Sequence, residues 1–593
     1  MNSVETNDRI PALRRNLAAQ RRDCLALPPE KALERILEYP QPAALVHAFP
    51  EEDLHLLIRE IGPDDALPLL ALASHKQLEY LLDQEIWQRD RIDPASTTQW
   101  LERLLRAESS PRRMIHWLAE EKTDLIELFL FRCIDVRMRE HDQDPSVFGP
   151  DFFSYDNVFF IRILEPPRKP EKGAQTEISP PQETVKCLLD HLAENDYVRF
   201  QAILLEATHV LPAETEEEQY RLRTARLAEK GFLPFEEAVG LYHPLRQDSF
   251  SRRALRKKPL EPEHPDLYAL IPMIVLGEDD LFTRALASIH SLEQRHALQE
   301  ELAALCNRII VADARKINSR GDLAAVVAKA SGYVRIALQN LQPECDASGA
   351  AGIEAASREL RRYHLEGLFQ RGFSETYKLK QIAEEWVHQS WYAQHGLPLT
   401  FWGETWLGVI GGLLIKRPLF FDNYESGTMY REFADKKDID WTILQLEQLT
   451  TVDRLLSRID PPLAVAPRHR FLSYKNLLLT LWARHRLALP EEVGPLSTEA
   501  FQPFFQELFY QEGASRSARK GRIGNALRRA FLLWLSDRAR QPADRLSETI
   551  GSHLEALFAE LEEHYGRVPA DSINPRYIQH FLLKSETNLN PPA

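Results

Sequence analysis

From Pro29 onward, apolar side chains recur every three or four positions in short runs, each opened by proline or a small polar residue. In PPEKALERILEYP, Ala32, Leu33, Ile36 and Leu37 fall on one stripe at helical spacing. The stretch AFPEEDLHLLIREIGPDDALPLLALASHKQLEYLLD predicts three further helices. The first starts at Pro50 with acids in its first turn. The second starts after Gly62 with Pro63, Asp64 and Asp65. The third is capped by Ser74. Proline suits the first helical position, and early Asp or Glu complements the positive end of the helix dipole. A helix of about ten residues cannot bury its apolar face alone, so neighbours must stack on it. The pattern continues through IDPASTTQWLERLLRA and SPRRMIHWLAEEKTDLIELFLFRCI. It predicts a helical-repeat superhelix over residues 30–145, after a polar lead-in over 1–29 that has room for one short basic helix.

The rhythm then breaks. FGPDFFSYDNVFFIRI (148–163) places two aromatic and β-branched runs around Ser154, Tyr155, Asp156 and Asn157. That arrangement predicts a β-hairpin, expected to be the chain's one strand pair. The following Pro-, Lys- and Glu-rich segment completes a linker region over 146–183. A second helical domain is expected over 184–345, where Val185, Leu188, Leu189 and Leu192 share a face and Gly231 closes a charged helix. A Trp-rich helical domain is expected over 346–593, with a break near Gly372. Its clearest helix runs from an N-cap at Ser547 to a C-cap at Gly566, with Ile550, Leu554, Leu557, Phe558, Leu561 and Tyr565 on one face. A short last helix is expected after Asn574-Pro575. The fold class is all-α.

The rhythm of FPEEDLHLLIREIGPDDALPLLAL resembles the N-terminal superhelical domain of bacterial magnesium transporters and, more distantly, the middle region of the flagellar motor switch protein. The resemblance covers residues of about 30–140 and implies a docking or regulatory surface. The whole chain, with LAEKGFLPFEEAVGLYHPL and HLEGLFQRGFSETYKLKQIAEEW, is similar to a bacterial helical family of unknown function. No ligand set is carried over from either.

Composition narrows the classes. The chain has 593 residues, 44% hydrophobic and 27% charged, with a formal net charge of −15. Such a chain buries sizeable cores, and its diffuse negative field disfavours phosphate backbones and anionic membranes. Nucleic acid is therefore not the expected partner. The longest apolar run, Leu407–Ile415, is too short to span a bilayer, which takes about 20 residues. It predicts a buried helix or hinge. Cys24, Cys133, Cys187, Cys306 and Cys345 are scattered and form no CxxC pair, which suits reduced thiols in the cytoplasm.

Candidate chemistry is thin. Glu-x-x-His occurs at Glu52/His55, Glu293/His296 and Glu385/His388. Two such pairs with two further carboxylates hold a di-iron or di-manganese centre in helical bundles. Among 19 histidines in a Glu-rich chain the spacing also arises by chance, as Glu261/His264 among prolines shows. No metal or cofactor is therefore assigned, and Glu293, His296, Glu385 and His388 stand only as candidates. Trp386, Trp391, Trp402 and Trp406 crowd one segment. Such clusters form partner-binding hot spots, or more commonly fill a helical core. Two basic stretches stand out: Arg252, Arg253, Arg256, Lys257 and Lys258, and then Arg516, Arg519, Lys520, Arg522, Arg528 and Arg529. They suit an acidic partner or RNA, but no interleaved aromatics are there to stack bases. No complete catalytic motif is present. The expected function is a protein-binding scaffold or regulator. The alternatives are a metal-dependent or small-molecule-binding enzyme in the C-terminal domains, and an RNA-associated protein.

Overall fold

The computed structural model describes residues 16–108, 112–140, 143–164, 181–207, 212–245, 250, 254–257, 260, 269–276, 280–341, 349–463, 472–509 and 521–584. The chain is built of helices joined by short connections, with three two-stranded antiparallel pairs among the described residues. It divides into two compact units, Met1–Gln370 and Arg371–Ala593. The expected 30–145 and 184–345 domains both fall in the first.

The first unit begins with a helix over residues 16–26, followed by Pro29–Leu37, Pro42–His47, Glu51–Ile61, Leu67–Leu72, His75–Glu85 and Pro94–Arg106. Proline occupies an early position of several, and Pro50 is the N-cap of Glu51–Ile61. Ser74 forms a full capping box with Gln77. The Gly62 signal marks a turn rather than a helix start: residues 63–66 form it, and the helix waits until Leu67. Packing runs mainly between each helix and the next but one, so Pro29–Leu37 meets Glu51–Ile61, Pro42–His47 meets Leu67–Leu72, and Glu51–Ile61 meets His75–Glu85. Each short helix turns Leu, Ile or Val inward, and Leu57, Ile58, Leu69, Leu70, Leu101 and Leu104 are essentially inaccessible.

The hairpin expectation is corrected in its pairing. Phe159–Ile163 is a strand, but its partner is Ile134–Met138, with Ile134 opposite Ile163. The first aromatic run contributes only the bridge Phe153–Ile161, because Pro145–Phe148 closes into a 3-10 turn. Nor is it the sole pair, since Trp87–Gln88 with Arg91–Ile92 and Phe420–Phe421 with Tyr430–Arg431 also form. The Pro-rich linker falls almost wholly outside the described residues.

Part-buried ion pairs tie the short helices to later segments of the first unit. Lys230 Nζ donates to Glu51 at 2.7 Å and to Glu52 at 2.9 Å. Arg226 grips Asp83 with two bonds of 2.8 Å, and Arg320 holds Glu60 at 2.7 Å. Asp53, 1% exposed, accepts the backbone N–H groups of Leu270 at 2.8 Å and Ile271 at 3.2 Å. Gly231 adopts φ +85°, and a Cβ there would lie 2.6 Å from the Ala304 carbonyl oxygen. It serves a left-handed turn and a close approach of backbones, three residues past the helix Pro212–Ala228.

In the second unit the helices Gly403–Leu414, Lys436–Ile459, Tyr474–Arg486, Thr498–Leu508, Asn525–Ala539 and Ala543–Tyr565 enclose an aromatic core. The apolar run forms most of the helix Gly403–Leu414, which buries Trp406, Val409, Ile410 and Leu413, while Ile415 caps its end and is exposed. Gly408 and Gly412 let the hairpin at 420–431 approach this helix, since a Cβ would meet the Phe421 ring at 2.3 Å or the Leu419 carbonyl oxygen at 2.6 Å. Three element expectations change. Gly372 interrupts nothing, because Leu365–Gln389 runs through it and the break lies at Tyr363 and His364. Ser547 is inside a helix that starts at Ala543, while Gly566 does cap it. Asn574–Tyr577 is a turn and not a helix, closed by Tyr577 N–H on the Asn574 carbonyl at 3.0 Å. No described helix is long and apolar enough to cross a membrane.

Candidate functional site

The helix Ala543–Tyr565 buries the stripe expected of it: Leu546, Ile550, Leu554, Leu557, Phe558, Leu561 and Tyr565. His553, Glu560 and His564 recur at seven and four positions, so they share a strip alongside that stripe. At one end, His553 stacks on Trp406 with ring centroids 4.4 Å apart and meets the Tyr474 hydroxyl at 2.9 Å. Burial, reinforced by the nearby Lys475 charge, lowers His553 to about 4, so it is neutral near pH 7.

The other end is more polar. Lys475 Nζ donates to Glu560 Oε2 at 2.5 Å, and His580 Nε2 lies 2.9 Å from Oε1. Burial opposes ionisation of Glu560, but the hydrogen bonds and charges of His580 and Lys475 outweigh it and hold the carboxyl at about 2. His580 is 7% exposed. Its Nδ1 lies 2.8 Å from the Tyr565 hydroxyl, whose oxygen also accepts the Gln579 N–H at 3.0 Å. The His564 and His580 rings lie 5.5 Å apart. The C-terminal segment is pinned in place by Leu582 N–H on Thr480 Oγ1 at 2.9 Å, by Phe581 against Phe501, and by backbone bonds to Leu496. An open cleft of about 550 Å³ adjoins the cluster at His564 and Tyr565 and is lined further by Ser572, Asn574, Tyr577 and Gln579, among others.

Among the described residues, Glu560, His564 and His580 are the group of three or more His, Cys, Asp or Glu side chains whose ligand atoms converge, all within 4.8 Å of one another. Sequence reasoning singled out the helix but not this trio. The Glu560/His564 spacing of four was available as a signal. His580 was not, because it arrives from the non-helical segment.

The sequence-predicted residues fall elsewhere. Glu293 is exposed and His296 half-buried, on Leu292–Ala312 of the first unit. Glu385 and His388 are both exposed, on Leu365–Gln389, and Glu385 accepts a long bond from Gln389. His55 bonds Glu85 at 2.7 Å, and Glu52 serves Lys230. Trp386, Trp391, Trp402 and Trp406 are interior, at 8, 3, 2 and 1% exposure. Trp402 lies edge-on to both Trp386 and Trp406. Arg256 is occupied by Glu301, and Arg528 by Glu555 and Glu562. Arg522 and Arg529 are exposed, while Arg516, Arg519 and Lys520 lie outside the described residues, as do Arg252, Arg253, Lys258 and Cys345. The remaining cysteines are free thiols, and burial raises those of Cys133 to about 11 and Cys306 to about 12.

The class defined here is an all-helical, two-unit protein with a histidine–carboxylate cluster beside an open cleft in its second unit. The chain matches, over residues 11–584, the model described as "Family of unknown function (DUF6178)", and it belongs to that family. No curated protein and no solved structure matches it.

Proposed function

We propose that this protein is a cytoplasmic scaffold or regulator that acts by binding another protein through its first unit. The observation that carries this reading is a preset aromatic surface at Tyr155 and Tyr197. Tyr197 donates its hydroxyl to Asp156 at 2.6 Å, and Tyr155 bonds Asp190. The Tyr155 ring is edge-on to Phe200 at 5.3 Å. Both tyrosines keep more than a third of their surface exposed, and Val158, at the end of the same turn as Tyr155, and Val198, next to Tyr197, are 41% and 80% exposed. Rigid, half-exposed tyrosines give contact area at low entropic cost, which is how interface anchors work. The aspartates that fix them favour a partner whose apolar contact is flanked by lysine or arginine.

The serial stacking of short helices suits the same reading, and the rhythm of residues 30–140, similar to that of the superhelical domain of bacterial magnesium transporters, would imply a docking or regulatory surface. In that rhythm the acids Glu51, Glu52 and Asp53 are turned to internal use by Lys230 and the Leu270 and Ile271 amides. They hold the unit together instead of offering a free acidic site. The test is capture of the full chain from its host, in parallel with Tyr197→Asp and Val198→Asp. A protein retained in near-equal amount by the wild type and lost by both variants supports the reading. Retention that is indifferent to these substitutions refutes it.

A further inference from the structure

The cluster at the end of the helix Ala543–Tyr565 has a composition that salt bridging alone does not require. Two imidazoles and one carboxylate face a common point, their ligand atoms within 4.8 Å of one another. Two histidines and a glutamate are a ligand set that zinc takes in sites that keep one position open. Cation–ligand bonds of about 2.0–2.2 Å put the donor atoms of a tetrahedral site roughly 3.4 Å apart. The Glu560–His580 pair is already that close, at 2.9 Å. His564 is exposed, and a rotation of its side chain closes the remaining distance.

We propose that Glu560 Oε1, His564 and His580 Nε2 bind a divalent transition-metal cation, with zinc the best match, and that its open position faces the cleft. The surroundings fit this role. Cation binding displaces the proton through which Nε2 bonds Glu560, and the ring then carries its remaining proton on Nδ1, donating it to the Tyr565 hydroxyl oxygen 2.8 Å away. A partner on the second ring nitrogen fixes the orientation of ligating histidines. Tyr565 is itself held by the Gln579 N–H, so the support is rigid. Lys475 occupies Oε2 at 2.5 Å and leaves Oε1 as the single available carboxylate oxygen. Its positive charge opposes the cation and tempers the affinity. His564 and Tyr565 line both the cluster and the cleft of about 550 Å³, so a water or small anionic ligand on the open position would sit inside it.

The test uses the full chain, stripped of metal with a chelator and titrated with Zn²⁺ alone, and separately with Co²⁺ alone for its visible absorption bands. Wild type should bind one equivalent, with Co²⁺ bands of low coordination number. His564→Gln, on an exposed helical face, and Glu560→Gln should each weaken binding at least about tenfold, since even outer partners of ligands cost that much. Lys475→Gln should tighten binding severalfold by removing a like charge. Circular dichroism confirms that each variant is folded. Unchanged affinity in folded His564→Gln, or an unchanged affinity in Lys475→Gln alongside weak wild-type binding, would overturn the proposal.

Discussion

At Asp53 and His553, single buried polar groups show how the interior is specified. Burial pushes the Asp53 carboxyl up to about 7, against the two amide bonds it accepts. Both oxygens are in use, so Asp53→Asn removes one acceptor and turns an NH₂ towards a backbone N–H. We expect a loss of about 1–3 kcal/mol in urea unfolding, the cost of an unsatisfied buried donor. His553 behaves in the opposite sense to a paired histidine. Its folded value of about 4 lies below the ordinary 6.5, so between those values the unfolded chain binds the proton and the folded chain does not. Stability is therefore lost as pH falls from 6.5 towards 4, by roughly 3 kcal/mol from this group alone. His553→Gln should flatten that part of the wild-type pH profile of melting temperature. A parallel profile in the variant would remove His553 as its source.

At the scale of elements, local chemistry made some ends legible and hid others. Ser74 was readable as a cap because Gln77 completes its box three residues on. Ser547 has the same residue type but lies inside a helix, because Pro542 is the N-cap and the helix is already under way from Ala543. Gly372 read as a break because glycine is a poor helix former, yet it is buried in the middle of a long helix, and there packing prevails over propensity. The strand Phe159–Ile163 was legible from its residue types. Its partner Ile134–Met138 was not, since that run continues directly from a helix. The candidate cluster was half legible for the same reason: Glu560 and His564 follow helical spacing, while His580 depends on a turn and a docked terminal segment. Gly231 was legible as a turn residue, but the reason for its stringency is tertiary. Gly231→Ala forces both a strained φ and a contact with Ala304, and should lower stability by more than about 1 kcal/mol, read as a fall in the thermal midpoint.

For the molecule as a whole, the all-helical class followed from periodicity alone, whereas the division into two units did not. The apolar stripes repeat on both sides of residue 370, so nothing local marks the boundary. The tryptophans taken as candidate anchors show the limit of composition: an aromatic cluster looks alike in sequence whether it faces inward or outward, and these four face inward. Tyr155 and Tyr197, by contrast, form an exposed aromatic pair whose rings are held in place by hydroxyl–carboxylate bonds. The central claim is that this surface binds a protein. The most direct measurement is crosslinking capture of the full chain from its host with wild type, Tyr197→Asp and Val198→Asp side by side. The account predicts one near-stoichiometric protein on the wild type, crosslinked next to Tyr155 or Tyr197, and its loss from both variants. The same protein on all three, or crosslinks confined to other surfaces, would contradict it.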